Sequence, residues 1–146
     1  KEENLDAFTQ RFLKLAADEI IPEQMTPQID IDAVLDLQDI NAKFMSELKK
    51  MNPFGPDNQK PVFCSLGVKD YGTSKLVGKD LEHIKLELID DKSNTPIHGI
   101  AFGMHQHNTH IKNMKPFNIC YTIEENTYNG NTSLQLMVKD IKENDI

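Results

Sequence analysis

The stretch KDYGTSKLVGKDLEHIKLELIDDKSNTPIHGIAF, residues 69–102, decides the fold. In its centre Ile84, Leu86 and Leu88 alternate with Lys85 and Glu87. A period of two is the mark of a half-buried strand. Residues 90–95 are a cluster of turn formers, and residues 97–102 follow as a second strand. Ahead of both lies a loop punctuated by Gly72 and Gly78 and bearing Lys75 and Lys79.

Downstream, residues 103–114 form a polar connection with room for one or two helical turns. Phe117, Ile119, Tyr121 and Ile123 then alternate, as do Leu134, Leu136 and Val138, with the hairpin signal Asn129-Gly130 between them. Upstream, Val62, Cys64, Leu66 and Val68 alternate, and the strand is expected to continue over residues 71–77 after a bend at Gly72. Five strands in roughly 85 residues, with an irregular link between the third and fourth, match the five-stranded OB-fold barrel. A five-stranded SH3-like barrel is the competitor, and the link after the third strand favours the first.

The first third of the chain is different. Leu5, Phe8, Phe12, Leu15, Ala16 and Ile20 recur at helical spacing, so a core-packing helix is expected, with Asn4 as its N-cap and Pro22 at its end. Residues 28–35 alternate and predict a half-buried strand with Asp30 and Asp32 on its solvent side. These carboxylates are no calcium loop, because Leu35 stands where that loop needs glycine. Leu37, Ile40, Phe44, Leu48 and Met51 predict a second helix capped by Asp36. Three prolines and a glycine in residues 53–61 make a stiff connector. The expected class is therefore α+β: two N-terminal helices with an intervening strand in residues 1–55, then the OB barrel in residues 56–146.

Charge is divided unevenly. The net charge of −7 argues against a nucleic-acid partner. However, residues 1–59 hold 6 basic and 12 acidic residues, and residues 60–146 hold 10 and 11. The second part is almost neutral, which permits a local positive groove. No apolar run approaches the ~18 residues of a membrane span. The start at Lys1, without methionine or a leader pattern, reads as a piece cut from a longer cytoplasmic protein. Cys64 and Cys120 read as reduced core residues rather than a disulfide.

Several motifs carry a resemblance. PFGPDNQKPVF (53–63), GKDLEHIKLEL (78–88), IAFGM (100–104) and YTIEENTYNGNTSLQLMVKDIK (121–142), in this order, resemble the C-terminal region of the RecJ family of single-strand-specific DNA exonucleases. ENLDAFTQRF (3–12), IDIDAVL (29–35) and LQDINAKFMSELKKMNPFG (37–55) resemble the end of its DHHA1 domain and the connection to its OB domain. The resemblance implies a 5′→3′ exonuclease of recombination and repair. Its catalytic metal, Mn or Mg, is held by a DHH domain whose motifs do not occur in this sequence. No cofactor is expected in this fragment, and the fragment alone is expected to be inactive.

The chemistry left to the fragment is binding. OB barrels bind on their second and third strands and the flanking loops. Single-stranded DNA requires cations along its backbone and π-faces for its bases. The candidate DNA-contacting residues are Lys69, Lys75 and Lys79 on the first loop, His83 and Lys85 on the second strand, and Tyr128 in the last hairpin. Tyr71, His98 and Phe102 are further stacking candidates, with Phe102 expected to be core because Gly99 and Ala101 leave the opposite face bare. Glu124 and Glu125 beside Tyr128 are expected to repel phosphate. His105, His107 and His110 lack a nearby cysteine or carboxylate in sequence and read as a polar connection, not a metal site. The expected partners are single-stranded DNA and the DHH and DHHA1 parts of the same protein. A protein-interaction role, docking an acidic peptide such as the tail of a single-strand-binding protein, is the alternative.

Overall fold

The computed structural model describes residues 2–144; Lys1, Asp145 and Ile146 lie outside it. Seven strands form one sheet: β1 (Ala33–Val34), β2 (Phe63–Asp70), β3 (Lys75–Val77), β4 (His83–Ile89), β5 (Ile97–Ala101), β6 (Phe117–Tyr128) and β7 (Asn131–Glu143). Five of them close a ring, β2-β6-β7-β5-β4, because β2 also pairs with β4 at Lys69↔Ile89 and Asp70↔Leu88. The β5–β7 pairing is parallel, since the chain crosses over between the third and fourth strands of the ring. That crossover holds a 3-10 turn (His105–His107) and α3 (Asn108–Lys112), whose Ile111 enters the core. The link between the third and fourth ring strands is thus the short helical segment expected.

The alternation translates directly into burial. Ile84, Leu86 and Leu88 are fully buried, and Lys85 between them is exposed. With Phe117, Ile119, Tyr121, Ile123, Leu136 and Val138 they fill the ring. Tyr121 brings a hydroxyl into this core, where Ser65 Oγ lies 2.7 Å away and donates in turn to the Leu35 carbonyl at 2.7 Å. Burial pushes the phenol's pKa up, so it stays a neutral donor. Asn129 (φ 49°) and Gly130 (φ 79°) make the two-residue hairpin between β6 and β7, the left-handed pair such a turn requires.

Other expectations change. The strand over residues 28–35 shrinks to β1, which lies parallel to β2; Ile29 and Ile31 remain 40% and 46% exposed. Asp32 Oδ2 instead accepts the Val62 N–H at 2.9 Å. The second helix is shorter: Leu37–Asp39 is a 3-10 turn, and α2 (Ala42–Lys49) is capped by Asn41, whose Oδ1 accepts from Phe44 N at 3.1 Å. Asp36 pairs with Lys92 at 2.7 Å and caps nothing with its side chain. Leu37, Ile40 and Leu48 share the ring's core, and Phe44 meets Phe63 edge-on. The connector is folded by Asn58, whose Nδ2 donates to the carbonyls of Met51 and Pro53.

Helix α1 (Leu5–Glu19) forms as its spacing predicts, but it is not a core helix. Leu5, Phe8, Phe12 and Leu15 are all more than half exposed, and Asn4 makes no side-chain cap. Among the described residues, the ring contact on the stripe is the Phe8–Phe12 stack. An amphipathic stripe specifies a helix and a need for cover, not which surface provides it.

Candidate nucleic-acid interface

The expected strand over residues 71–77 is in fact two pieces with a pinned turn between them. Asp70, 1% exposed, accepts from the Ser74 N–H (3.1 Å) and hydroxyl (2.6 Å), and Ser74 Oγ accepts from the Glu87 N–H at 2.9 Å. This pin sets β3 against β4 with Lys75 directly opposite Lys85. Lys85 in turn faces Ile100, and Ile100 faces Met137 of β7, so one cross-strand row reads Lys75, Lys85, Ile100, Met137 on the ring's outer side. Among the described residues no carboxylate lies within ion-pair distance of Lys75, Lys79 or Lys85. Two ammonium groups opposed on neighbouring strands repel, at a cost of about 0.2–1 kcal/mol.

Beside this row, two residues along from Lys85 and Ile100, stands an aromatic pair. The rings of His83 and Phe102 meet edge-to-face, with centroids 4.9 Å apart. Phe102 is 55% exposed, which overturns its expected place in the core. The reason is register: Ala101 pairs with Ile84 and takes the inward position, which turns its neighbours outward. His83 is held on both nitrogens. Its Nδ1 accepts the Gly103 N–H at 3.0 Å, so the proton sits on Nε2, which faces Glu82 Oε1 at 3.2 Å. The Glu82 carboxyl is held below its usual range by its own backbone N–H, the Asp80 N–H (3.0 Å) and His83. It folds back over Gly78 so closely that a Cβ there would sit 2.7 Å from Oε2.

The remaining candidates scatter. Lys69 belongs to β2 rather than to the loop and pairs with Asp91 at 3.2 Å. Lys79 is exposed in the turn before β4. His98 lies outward beside Glu87, 3.6 Å from it, with a buried Nδ1 that has no hydrogen-bond partner among the described residues. Tyr71 and Tyr128 are 50% and 73% exposed. Tyr128 sits at the hairpin tip, past the Ile97 end of β5, whereas Phe102 follows its other end. Counting strand residues along β7 puts the two rings roughly 25 Å apart along the ring. Glu124 and Glu125 are neutralised by Lys60 and Lys49, each at 2.7 Å, so the repulsion expected beside Tyr128 is reduced. His107 and His110 both turn to the Glu143 carboxylate, at 2.7 and 3.2 Å. Sequence reading missed Met137 as a member of the face and the Asp70–Ser74 pin; an aspartate four residues before a serine in a glycine-bearing bend was the available signal.

Comparisons with known proteins agree on one family. A model of the RecJ OB domain matches residues 31–140. The single-stranded-DNA-specific exonuclease RecJ of Haemophilus influenzae is 25% identical over 142 residues, 97% of this chain and 24% of that protein. The Bacillus subtilis protein of the same name is 25% identical over 141 residues, 96% of this chain and 17% of that protein. The chain therefore spans a quarter or less of these relatives. The crystal structure of RecJ in complex with Mn2+ from Thermus thermophilus superposes over 100% of this chain and 20% of that one, with a TM-score of 0.74 at 17% identity, a likeness of fold.

Proposed function

The chain belongs to the RecJ OB domain family, and from that membership we propose that it is the single-stranded-DNA-binding accessory region of a RecJ-like 5′→3′ exonuclease acting in recombination and repair. The observation that carries the reading is the row on β3, β4 and β5. Lys75 and Lys85 stand opposed, without an ion-pair partner among the described residues, beside the exposed Phe102 ring. An anionic backbone relieves the repulsion between the two lysines, and an exposed ring offers a base its π-face. His83, fixed by Gly103 and Glu82, acts as the stay that orients Phe102. Lys79 would follow phosphate at the edge of the row, and Tyr128 would meet the strand at the far end. Lys69, occupied by Asp91, contributes less.

In this reading hydrolysis belongs to a DHH part of the same cytoplasmic protein, where Mn or Mg would polarise the phosphate and activate water. The residues before 31 would be the end of a DHHA1-like part, and the OB part would begin ahead of the expected boundary at residue 56, because the RecJ OB model starts at residue 31 and Leu37, Ile40 and Leu48 share the ring's core. Among the described residues no helix is long and apolar enough to cross a membrane.

Fluorescence anisotropy with a labelled single-stranded oligonucleotide of about 12 nucleotides tests the reading. Affinity should fall with salt by ~0.7 log units per log unit for each phosphate neutralised. No binding at low salt, with binding to an acidic peptide instead, would replace this reading by the peptide-docking one.

A further inference from the structure

The two cysteines are the reactive groups that the proposed interface does not use. Both are free thiols, and they stand opposite each other in register on β2 and β6. Which kind of opposition it is follows from the backbone. The Leu35 N–H donates to the Cys64 carbonyl at 2.8 Å, so Cys64 turns its peptide groups toward β1 and away from β6. Cys64 and Cys120 are therefore a non-hydrogen-bonded antiparallel pair, the closer of the two kinds, with Cα atoms ~4.5 Å apart. A disulfide spans Cα separations of about 4.4–6.8 Å. The pair faces outward, not into the ring, because Phe63, Ser65 and Tyr121 take the inward positions. A cavity of about 580 Å³, lined by Ile29, Leu66, Cys120, Asp140 and Lys142 among others, opens onto the pair.

We propose that Cys64 and Cys120 are a modification site, a dithiol that low-molecular-weight disulfides oxidise to an internal bond joining β2 to β6. The thiolate of Cys120, the less buried of the two, attacks one sulfur of the reagent; the reagent's S–S bond breaks and its other half leaves as a thiol. The thiolate of Cys64 then attacks Cys120 Sγ and expels the second half. Two protein thiols lose two electrons and two protons, and one small disulfide becomes two thiols. Burial first, and then the neighbouring Cys64 thiol, push the Cys120 pKa up to about 11. Thiolate is scarce at neutral pH, so the reaction should be slow there and speed up ~10-fold per pH unit on the way to that value. The inference does not rest on nucleic-acid binding.

The test uses the whole chain and glutathione disulfide at mildly alkaline pH. The expected product is a monomer about 2 Da lighter, with both thiols lost. A peptide map should link residues 64 and 120. Closing a loop of this length should raise Tm by roughly 10 °C. Cys64→Ser should stop at the glutathione adduct on Cys120; if that variant does not fold, the peptide map of the unaltered chain decides. A stable adduct on the unaltered chain, a disulfide-linked dimer, or thiols that react only after unfolding in urea would each overturn the proposal.

Discussion

Replacing Lys75 by glutamate should stabilise the fold and weaken its grip on DNA at once. Lys75 faces Lys85 across β3 and β4, and neither has an ion-pair partner among the described residues. Lys75→Glu exchanges a repulsive cross-strand pair for an attractive one. Each such pair is worth about 0.2–1 kcal/mol, and exposure keeps the sum near the low end, roughly 0.5–1 kcal/mol. For a chain of this size that is about 2 °C in Tm. The gain should fade with salt, since the Debye length falls to ~10 Å at 0.1 M. Binding should move the other way. Losing one phosphate contact lowers the salt slope by ~0.7, and the new carboxylate costs further affinity, about 10-fold in all at low salt. Urea melts at low and high salt give the first quantity, and anisotropy with an oligonucleotide gives the second. Lys43→Glu, on the exposed side of α2, is the control and should leave the salt slope alone. If Lys75→Glu changed neither stability nor affinity at low salt, the two lysines would not share a working face, and the interface would have to lie elsewhere.

Three further outcomes follow from the same geometry. Phe102→Ala should cost ~1–3 kcal/mol of binding per stacked base while barely moving Tm, because the ring is half exposed; unchanged affinity in the anisotropy assay would remove Phe102 from the interface. Gly78→Ala should destabilise the chain by about 1 kcal/mol in a urea melt, since φ is +98° and the new Cβ would displace the Glu82 carboxylate; a neutral result would mean that Glu82 does not lie over the turn. Stability should fall as pH rises from 9.0 toward about 11, because unfolded Cys120 loses its proton over that range while the folded thiol keeps it. Cys120→Ala should lessen that fall, leaving the part above pH 10.0 that the burial-raised Tyr121 phenol contributes with the same sign, and an unchanged pH profile would contradict the burial-raised thiol.

Legibility in the sequence followed the range of the interaction. Ile84, Leu86 and Leu88 went to the core as their alternation required, and Asn129-Gly130 made its turn, because both depend on neighbours in sequence. The helix of residues 5–19 was legible as a helix, but its buried stripe was not, since burial needs a partner surface. Asp36 looked like a cap and became an ion pair with Lys92, a residue 56 positions away.

The sequence by itself determined the order of the ring strands along the chain, the inward side of β4, β6 and β7, the crossover helix and the last hairpin. Only the tertiary structure decided which way β5 faced and which lysines met. Gly99 and Ala101 are too small to announce a core side, so Phe102 looked inward until the pairing of Ala101 with Ile84 placed it outside. Lys75 and Lys85 lie ten residues apart, and the β3–β4 ladder together with the Asp70–Ser74 pin brings them opposite. A two-residue period fixes which face a strand buries; register, set by distant partners, fixes what stands beside it.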